Sequence, residues 1–180
     1  LNIIEDIKTL FKEFHLVQSQ KNCNNLVVAY DDPSSLGSDR FCAMLGSMNH
    51  FPQRPILLID IGSAMTFDII DGTGFHQGGL IMPGLASLRK SFTKFETNDL
   101  SVLDTYLASD TDTAWKNGTQ AMLISSINNQ IDRFQDKYTD GVVAICGGTV
   151  DEIKNQLPKS IQIFDNLVLD GLECYSQTVG

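Results

Sequence analysis

Residues 55–84 read PILLIDIGSAMTFDIIDGTGFHQGGLIMPG, and the reading of this stretch decides the fold. It opens with Ile56-Leu57-Leu58-Ile59, a short apolar run of the kind that fits a buried strand. The run delivers Asp60 straight into Gly62-Ser63. A second run, residues 65–70, follows at once. Strand alternation puts Thr66 and Asp68 on one face, with Met65, Phe67 and Ile69 on the other. Asp71-Gly72 and Thr73-Gly74 then turn the chain into a third run that ends in Gly78-Gly79 and Pro83-Gly84. An acid beside backbone N–H groups and a small hydroxyl suits a phosphate and its cation. The same residues would equally serve a β-meander whose turns need glycine.

Outward from this stretch, a helix is expected to start near Pro83, carrying the apolar Leu85, Leu88 and Phe92. Residues 93–110 show little periodicity and read as a long connection. Leu123, Ile127, Ile131 and Phe134 stand at helical spacing, which predicts a helix over 112–134. Gly118 interrupts that helix at a cost of about 1 kcal/mol relative to alanine, and is expected to mark a close approach by another helix or a ligand. Trp115 reads as packing. Residues 142–146 form the next buried strand and run into Gly147-Gly148. Thr149 and Glu152 then have the spacing of a capping box. Strand, double glycine and capped helix together let a ligand rest at the carboxyl end of a sheet. A short strand at 161–163 and a helix over 169–176 complete the chain.

Upstream, residues 1–14 read as an amphipathic helix with Ile4, Ile7, Leu10, Phe11 and Phe14 on one stripe. Residues 26–29 form a short strand, and 30–35 a turn-rich loop. Residues 36–40, Leu-Gly-Ser-Asp-Arg, open a helix that runs to Met48. Asp39 and Arg40 fall in its first turn, where the helix dipole favours a carboxylate, so simple capping is the competing account of Asp39. The order of elements from Pro55 onward is an α/β core of the ribonuclease-H-like type, the half-unit of actin-like (ASKHA) phosphotransferases. Residues 51–180 read as a complete C-terminal half. Residues 1–50 supply a helix, a strand and a helix, and read as the remnant of an N-terminal half without its opening strands.

The chain has 180 residues, 42% hydrophobic and 19% charged, enough for one good-sized core or two small ones. Its net charge of −9 argues against a nucleic-acid surface, which needs clustered Lys and Arg. No apolar run reaches the length of a membrane span, and no signal peptide is read at the start, which begins at Leu1. Cys23, Cys42, Cys146 and Cys174 form no C-x-x-C pair. His15, His50 and His76 are scattered, which leaves a zinc site or a serine triad with little support. A reduced, cytoplasmic protein is the expected context.

The chain resembles the type III pantothenate kinases, the bacterial enzymes that phosphorylate pantothenate in the first step of coenzyme A biosynthesis. The resemblance runs from about Tyr30 to the end. Tyr30-Asp31-Asp32-Pro33 and Gly37-Ser38-Asp39-Arg40 stand where the family has a tyrosine and then G-x-D-R. Asp60-Ile61-Gly62-Ser63-Ala64 with Thr66 and Asp68 is close to D-x-G-T-A-x-T-x-D. Gly78-Gly79, Ile81 and Pro83-Gly84 follow in register, as do Thr111, Ala114, Gly118, Gly147-Gly148, and finally Asp165, Val168-Leu169 and Gly171-Leu172.

The resemblance implies a role for each residue. Asp39 would be the general base for the primary hydroxyl of pantothenate. Arg40 and Tyr30 would hold the substrate, with Gly37 and Ser38 letting the backbone approach it. Asp60 would bind a monovalent cation, K+ or NH4+, beside the ATP phosphates, with Ser63 and Gly62 at a phosphate oxygen. Gly147 and Gly148 would lie near the nucleotide. Thr111 would complete a pantothenate pocket formed at a homodimer interface. Mg2+ would bridge the phosphates, since phosphoryl transfer depends on positioning and charge neutralisation. Ser63 departs from the usual threonine but keeps the hydroxyl. The larger departure is a D-x-G-N-T phosphate motif, which nothing in residues 1–29 matches. The expectation is therefore a truncated portion of an active kinase. The alternatives are a non-catalytic accessory or regulatory protein of the same fold, and an actin-like phosphotransferase acting on another small alcohol.

Overall fold

The structure, a computed structural model, describes residues 3–11, 14–103 and 107–179, with the backbone alone at 3–6 and 179. Its elements are α1 (Ile3–Leu10), β1 (Asn22–Cys23), β2 (Leu26–Val27), α2 (Ser38–His50), β3 (Ile56–Ile61), β4 (Ala64–Ile70) and β5 (His76–Pro83). They continue with α3 (Leu85–Lys90), α4 (Thr111–Lys137), β6 (Val142–Cys146), α5 (Val150–Ile153), β7 (Gln162–Ile163) and α6 (Leu167–Val179). Of the helix expected over 1–14, residues 1, 2, 12 and 13 lie outside the described residues, as do 104–106 of the connection at 93–110.

Short turns join β3, β4 and β5, so these strands run antiparallel. Helical crossovers bring β6 and then β7 back parallel to β3. The order in the five-stranded sheet is β5-β4-β3-β6-β7. This is the α/β, ribonuclease-H-like arrangement. Side-chain alternation sorts the core into two layers. Ile56, Leu58 and Ile70 face α2 and α6, together with Phe41, Met44 and Leu45. Leu57, Ile59, Ile61, Met65 and Phe67 face Leu123, Ile127, Ile131 and Phe134 of α4. Each of these apolar side chains contributes about 1.5–3 kcal/mol by leaving water. The pairing of Leu58 with Asp68, and of Asp60 with Thr66, sets both acids on the α2 side of the sheet.

The α2–α6 contact is the tightest between helices. A Cβ at Gly171 would fall on the Cys42 carbonyl, and one at Gly46 would lie 2.9 Å from the Gly171 nitrogen. Glycine at both positions lets the two backbones touch. At the far end of α2, His50 Nε2 lies 2.8 Å from Asp170 Oδ2, and its ring meets Phe164 at 4.7 Å.

Several local expectations change. The described helix at the start ends at Leu10. The strand expected over 26–29 is regular only at Leu26–Val27, where it pairs with β1. Thr149 precedes α5 but makes no side-chain cap, because its ψ of 0° is not the extended geometry that aims a cap oxygen at the helix. Its N–H instead donates to the Ile61 carbonyl at 3.1 Å. Gly118 is exposed, and a Cβ there would meet nothing within 4 Å among the described residues. The connection before α4 is a tied strap. Buried Arg89 donates to the carbonyls of Asp99 and Ser101, and Gln120 bonds both the N–H and the C=O of Leu103 at 3.0 Å. Trp115 packs against Phe92 and Phe95, in line with its reading as a packing residue.

Candidate active site

Asp39 stands in the exposed first turn of α2, where its Oδ1 accepts the Arg40 N–H at 2.8 Å. Gly37 is the N-cap, and a Cβ on it would lie 2.5 Å from the Asp39 carboxylate. Its absence leaves that carboxylate room. Ser38 is exposed beside it. Arg40 turns the other way and is buried. Its Nε donates to Asp68 Oδ2 at 2.9 Å and its Nη2 to Asp68 Oδ1 at 2.5 Å, while Nη1 donates to the Tyr30 hydroxyl at 3.1 Å.

Asp60 ends the apolar run of β3 and is half-buried. Burial pushes its carboxyl pKa up, and the carboxylates of Asp39 and Asp68 push it further. Opposite it, β6 runs into Gly147, whose φ of +109° brings the loop back over β3. A Cβ at Gly147 would sit 2.6 Å from Asp60 Oδ1, so only glycine allows the loop to close there. Gly62 and Ser63 form the turn after β3. Ser63 is exposed, with its carbonyl engaged by the Gly84 N–H at 3.0 Å and the Ser87 hydroxyl at 2.7 Å. Gly148 is exposed on the same rim as Gly147.

The structure therefore gathers Tyr30, Gly37, Ser38, Asp39 and Arg40 at the start of α2. It sets Asp60, Gly62, Ser63, Gly147 and Gly148 at the carboxyl ends of β3 and β6. The influence of the Asp39 and Asp68 carboxylates on the pKa of Asp60 links the two groups. Thr111 is elsewhere. It opens α4, on the other face of the sheet, behind an Asp110 side chain that accepts the Thr113 N–H at 2.9 Å.

Sequence matching then decides the family. The model for type III pantothenate kinases matches residues 2–133. The chain belongs to the type III pantothenate kinase family. The type III pantothenate kinase of Colwellia psychrerythraea is 28% identical over 94% of this chain and 72% of that protein. That of Pseudoalteromonas translucida is 32% identical over 84% of this chain and 65% of that protein. Among solved structures, a conserved Baf-family protein of Campylobacter jejuni, described as a candidate transcriptional activator, superposes with a TM-score of 0.58. It is 22% identical and covers 84% of this chain and 67% of its own, a likeness of fold.

Within the stretch matched to the type III pantothenate kinases lie Asp39, Asp60 and Thr111, while Gly147 and Gly148 fall beyond it. One residue beside the site escaped sequence reasoning. His76, fully buried, places Nε2 at 2.9 Å from Asp68 Oδ1 and stacks on the Tyr30 ring at 6.0 Å. A histidine facing the core across a hairpin from a strand aspartate was the available signal. No helix of the structure, among the described residues, is long and apolar enough to cross a membrane.

Proposed function

We propose that the protein phosphorylates pantothenate at its primary hydroxyl with ATP, giving phosphopantothenate for coenzyme A biosynthesis. The observation that carries this reading is the placement of an exposed Asp39 carboxylate within the field of a half-buried Asp60 at the strand ends. Asp39 accepts the hydroxyl proton as the oxygen attacks the γ-phosphoryl group. Tyr30, Gly37, Ser38 and Arg40 make up the substrate side. Gly62, Ser63, Gly147 and Gly148 make up the nucleotide side, where N–H groups and a hydroxyl meet phosphate oxygens.

Asp60 fits a monovalent cation, K+ or NH4+, because its carboxylate is half-buried and faces like charges with no cation beside it in the contacts described. The glycine at 147 keeps clear the space next to that carboxylate. Mg2+ neutralises phosphate charge when the nucleotide is bound. Thr111, on the far face, serves the pocket of a second copy in a homodimer.

The test is ATP- and pantothenate-dependent release of ADP by the protein expressed from its complete reading frame. Asp39→Asn should lower kcat by about 10²- to 10⁴-fold, the span of a lost general base. Absence of turnover with either K+ or NH4+ present overturns the reading.

A further inference from the structure

The side chains behind Asp39 form a closed ring. Arg40, 5% exposed, gives two N–H groups to Asp68 and one to the Tyr30 hydroxyl. Asp68, 1% exposed, also receives His76 Nε2 on Oδ1. The Ala29 N–H points at His76 Nδ1 at 3.5 Å, which makes that nitrogen the acceptor and puts the ring proton on Nε2, facing Asp68. The imidazole lies nearly parallel to the Tyr30 ring, at 19°, which closes the circuit.

Two consequences follow from this geometry. The side of the guanidinium best shaped for a carboxylate already holds one, and the group is out of reach of solvent. The Tyr30 hydroxyl, as acceptor from Nη1, keeps its own hydrogen to donate elsewhere. Asp39 is tied to the same frame through the Arg40 N–H.

We propose that Arg40, Asp68 and His76 are positioning residues. They orient the Asp39 carboxylate and the Tyr30 hydroxyl, and Arg40 does not grip the carboxylate of the substrate. Recognition of the acidic end then falls to neutral donors, the Tyr30 O–H and main-chain N–H groups. This proposal rests on the pantothenate kinase reading and assigns work within it.

The experiment compares pantothenate with pantothenol, in which an alcohol replaces the carboxylate, using enzyme from the complete reading frame. The variants are Arg40→Gln/Asp68→Asn, His76→Phe and His76→Gln. The double variant and His76→Phe should each lose about 10- to 100-fold in kcat with both compounds, the size expected when a reacting group is held slightly out of place. KM for ATP and the pantothenate-to-pantothenol ratio of kcat/KM should stay within about twofold of the unmodified enzyme. His76→Gln returns an N–H to Asp68 and should recover most of the kcat lost in His76→Phe.

A ratio that falls about tenfold or more in the double variant overturns the proposal, because Arg40 then binds the carboxylate itself, worth at least ~1.4 kcal/mol. An unchanged kcat in His76→Phe also overturns it. His76→Phe keeps both buried charges paired, so it decides the matter if the double variant is unfolded by its melting curve. Failure of the unmodified enzyme to turn over pantothenate is a different result, and overturns the kinase reading itself.

Discussion

Replacing Asp68 with Asn should destabilise the protein out of proportion to the size of the change. The side chains of Arg40 and Asp68 are 6% and 1% exposed, and their closest atoms are 2.5 Å apart. Burial by itself would lower the Arg40 pKa, but the bonds and charge of Asp68 outweigh it and hold the pKa above its ordinary value. Arg40 therefore stays charged when its partner is neutralised. Removing one member of such a pair costs about 3–5 kcal/mol. Asn keeps an oxygen that can accept from Arg40 or His76, which places the expected cost near the lower figure. At roughly 2.1 cal/mol/K of unfolding entropy per residue, a chain of this length loses about 8 °C in Tm for ~3 kcal/mol. Lys154–Asp151 is the internal control. That pair is similarly close, at 2.9 Å, but its side chains are 50% and 85% exposed. Asp151→Asn should leave Tm nearly unchanged, because solvent screens an exposed pair. Thermal melting at neutral pH and moderate salt measures both. The double variant Arg40→Gln/Asp68→Asn should recover much of the loss, since it buries no uncompensated charge. The reasoning is refuted if Asp68→Asn lowers Tm no more than Asp151→Asn does, or if the double variant is less stable than Asp68→Asn alone.

Asp60→Asn should raise the Tm of the ligand-free protein at neutral pH while removing turnover. The pKa of Asp60 is raised in the folded state, first by burial and then by Asp39 and Asp68. The folded state therefore binds more protons than the unfolded state between the ordinary and the raised pKa, and stability falls as pH rises through that window. The advantage of Asn should shrink as the pH is lowered towards the ordinary aspartate value, and a melting series that shows no advantage at neutral pH contradicts the assignment. Gly118→Ala should stabilise α4 by up to about 1 kcal/mol, raising Tm by ~2–4 °C, because a Cβ there meets nothing within 4 Å among the described residues. A fall in Tm would refute this and point to a second copy packed on that glycine.

The sheet is legible in the sequence because its signals are local. Alternation at 65–70 and the turn residues at 71–74 specify β4 and its hairpin. The helical spacing of Leu123, Ile127, Ile131 and Phe134 specifies the buried face of α4. What escapes is long-range or conformational. Gly46 reads as an unremarkable glycine, and Gly171 only as part of a family pattern, until α2 and α6 meet at their backbones. Thr149 has the right residue type and spacing for a cap but the wrong ψ to make one. His76 reads as a scattered histidine because its partner depends on register. The irregularity between Asp68 and Ile70 shifts the pairing, and that shift accompanies the contact of the imidazole with Asp68.

The site also shows one kind of residue in three different surroundings, which underlies the three roles proposed for them. Asp39 and Asp68 both raise the pKa of Asp60, yet the structure compensates the three carboxylates unequally. Asp68 is the most buried, and it is the one that receives a two-pronged guanidinium and an imidazole N–H, so its charge goes into holding α2 in place. Asp60 is half-buried beside a glycine loop and has no such partner among the described contacts, which leaves its charge costly unless a cation joins it. Asp39 is exposed and, among the described contacts, accepts from a backbone N–H and no side chain, so its remaining lone pairs are free. A carboxylate can serve as a base only where neither a guanidinium nor a cation already holds its lone pairs. By that criterion the order of compensation, Asp68 first and Asp39 last, is what supports the proposal of Asp39 as the base, alongside the spacing of its motif.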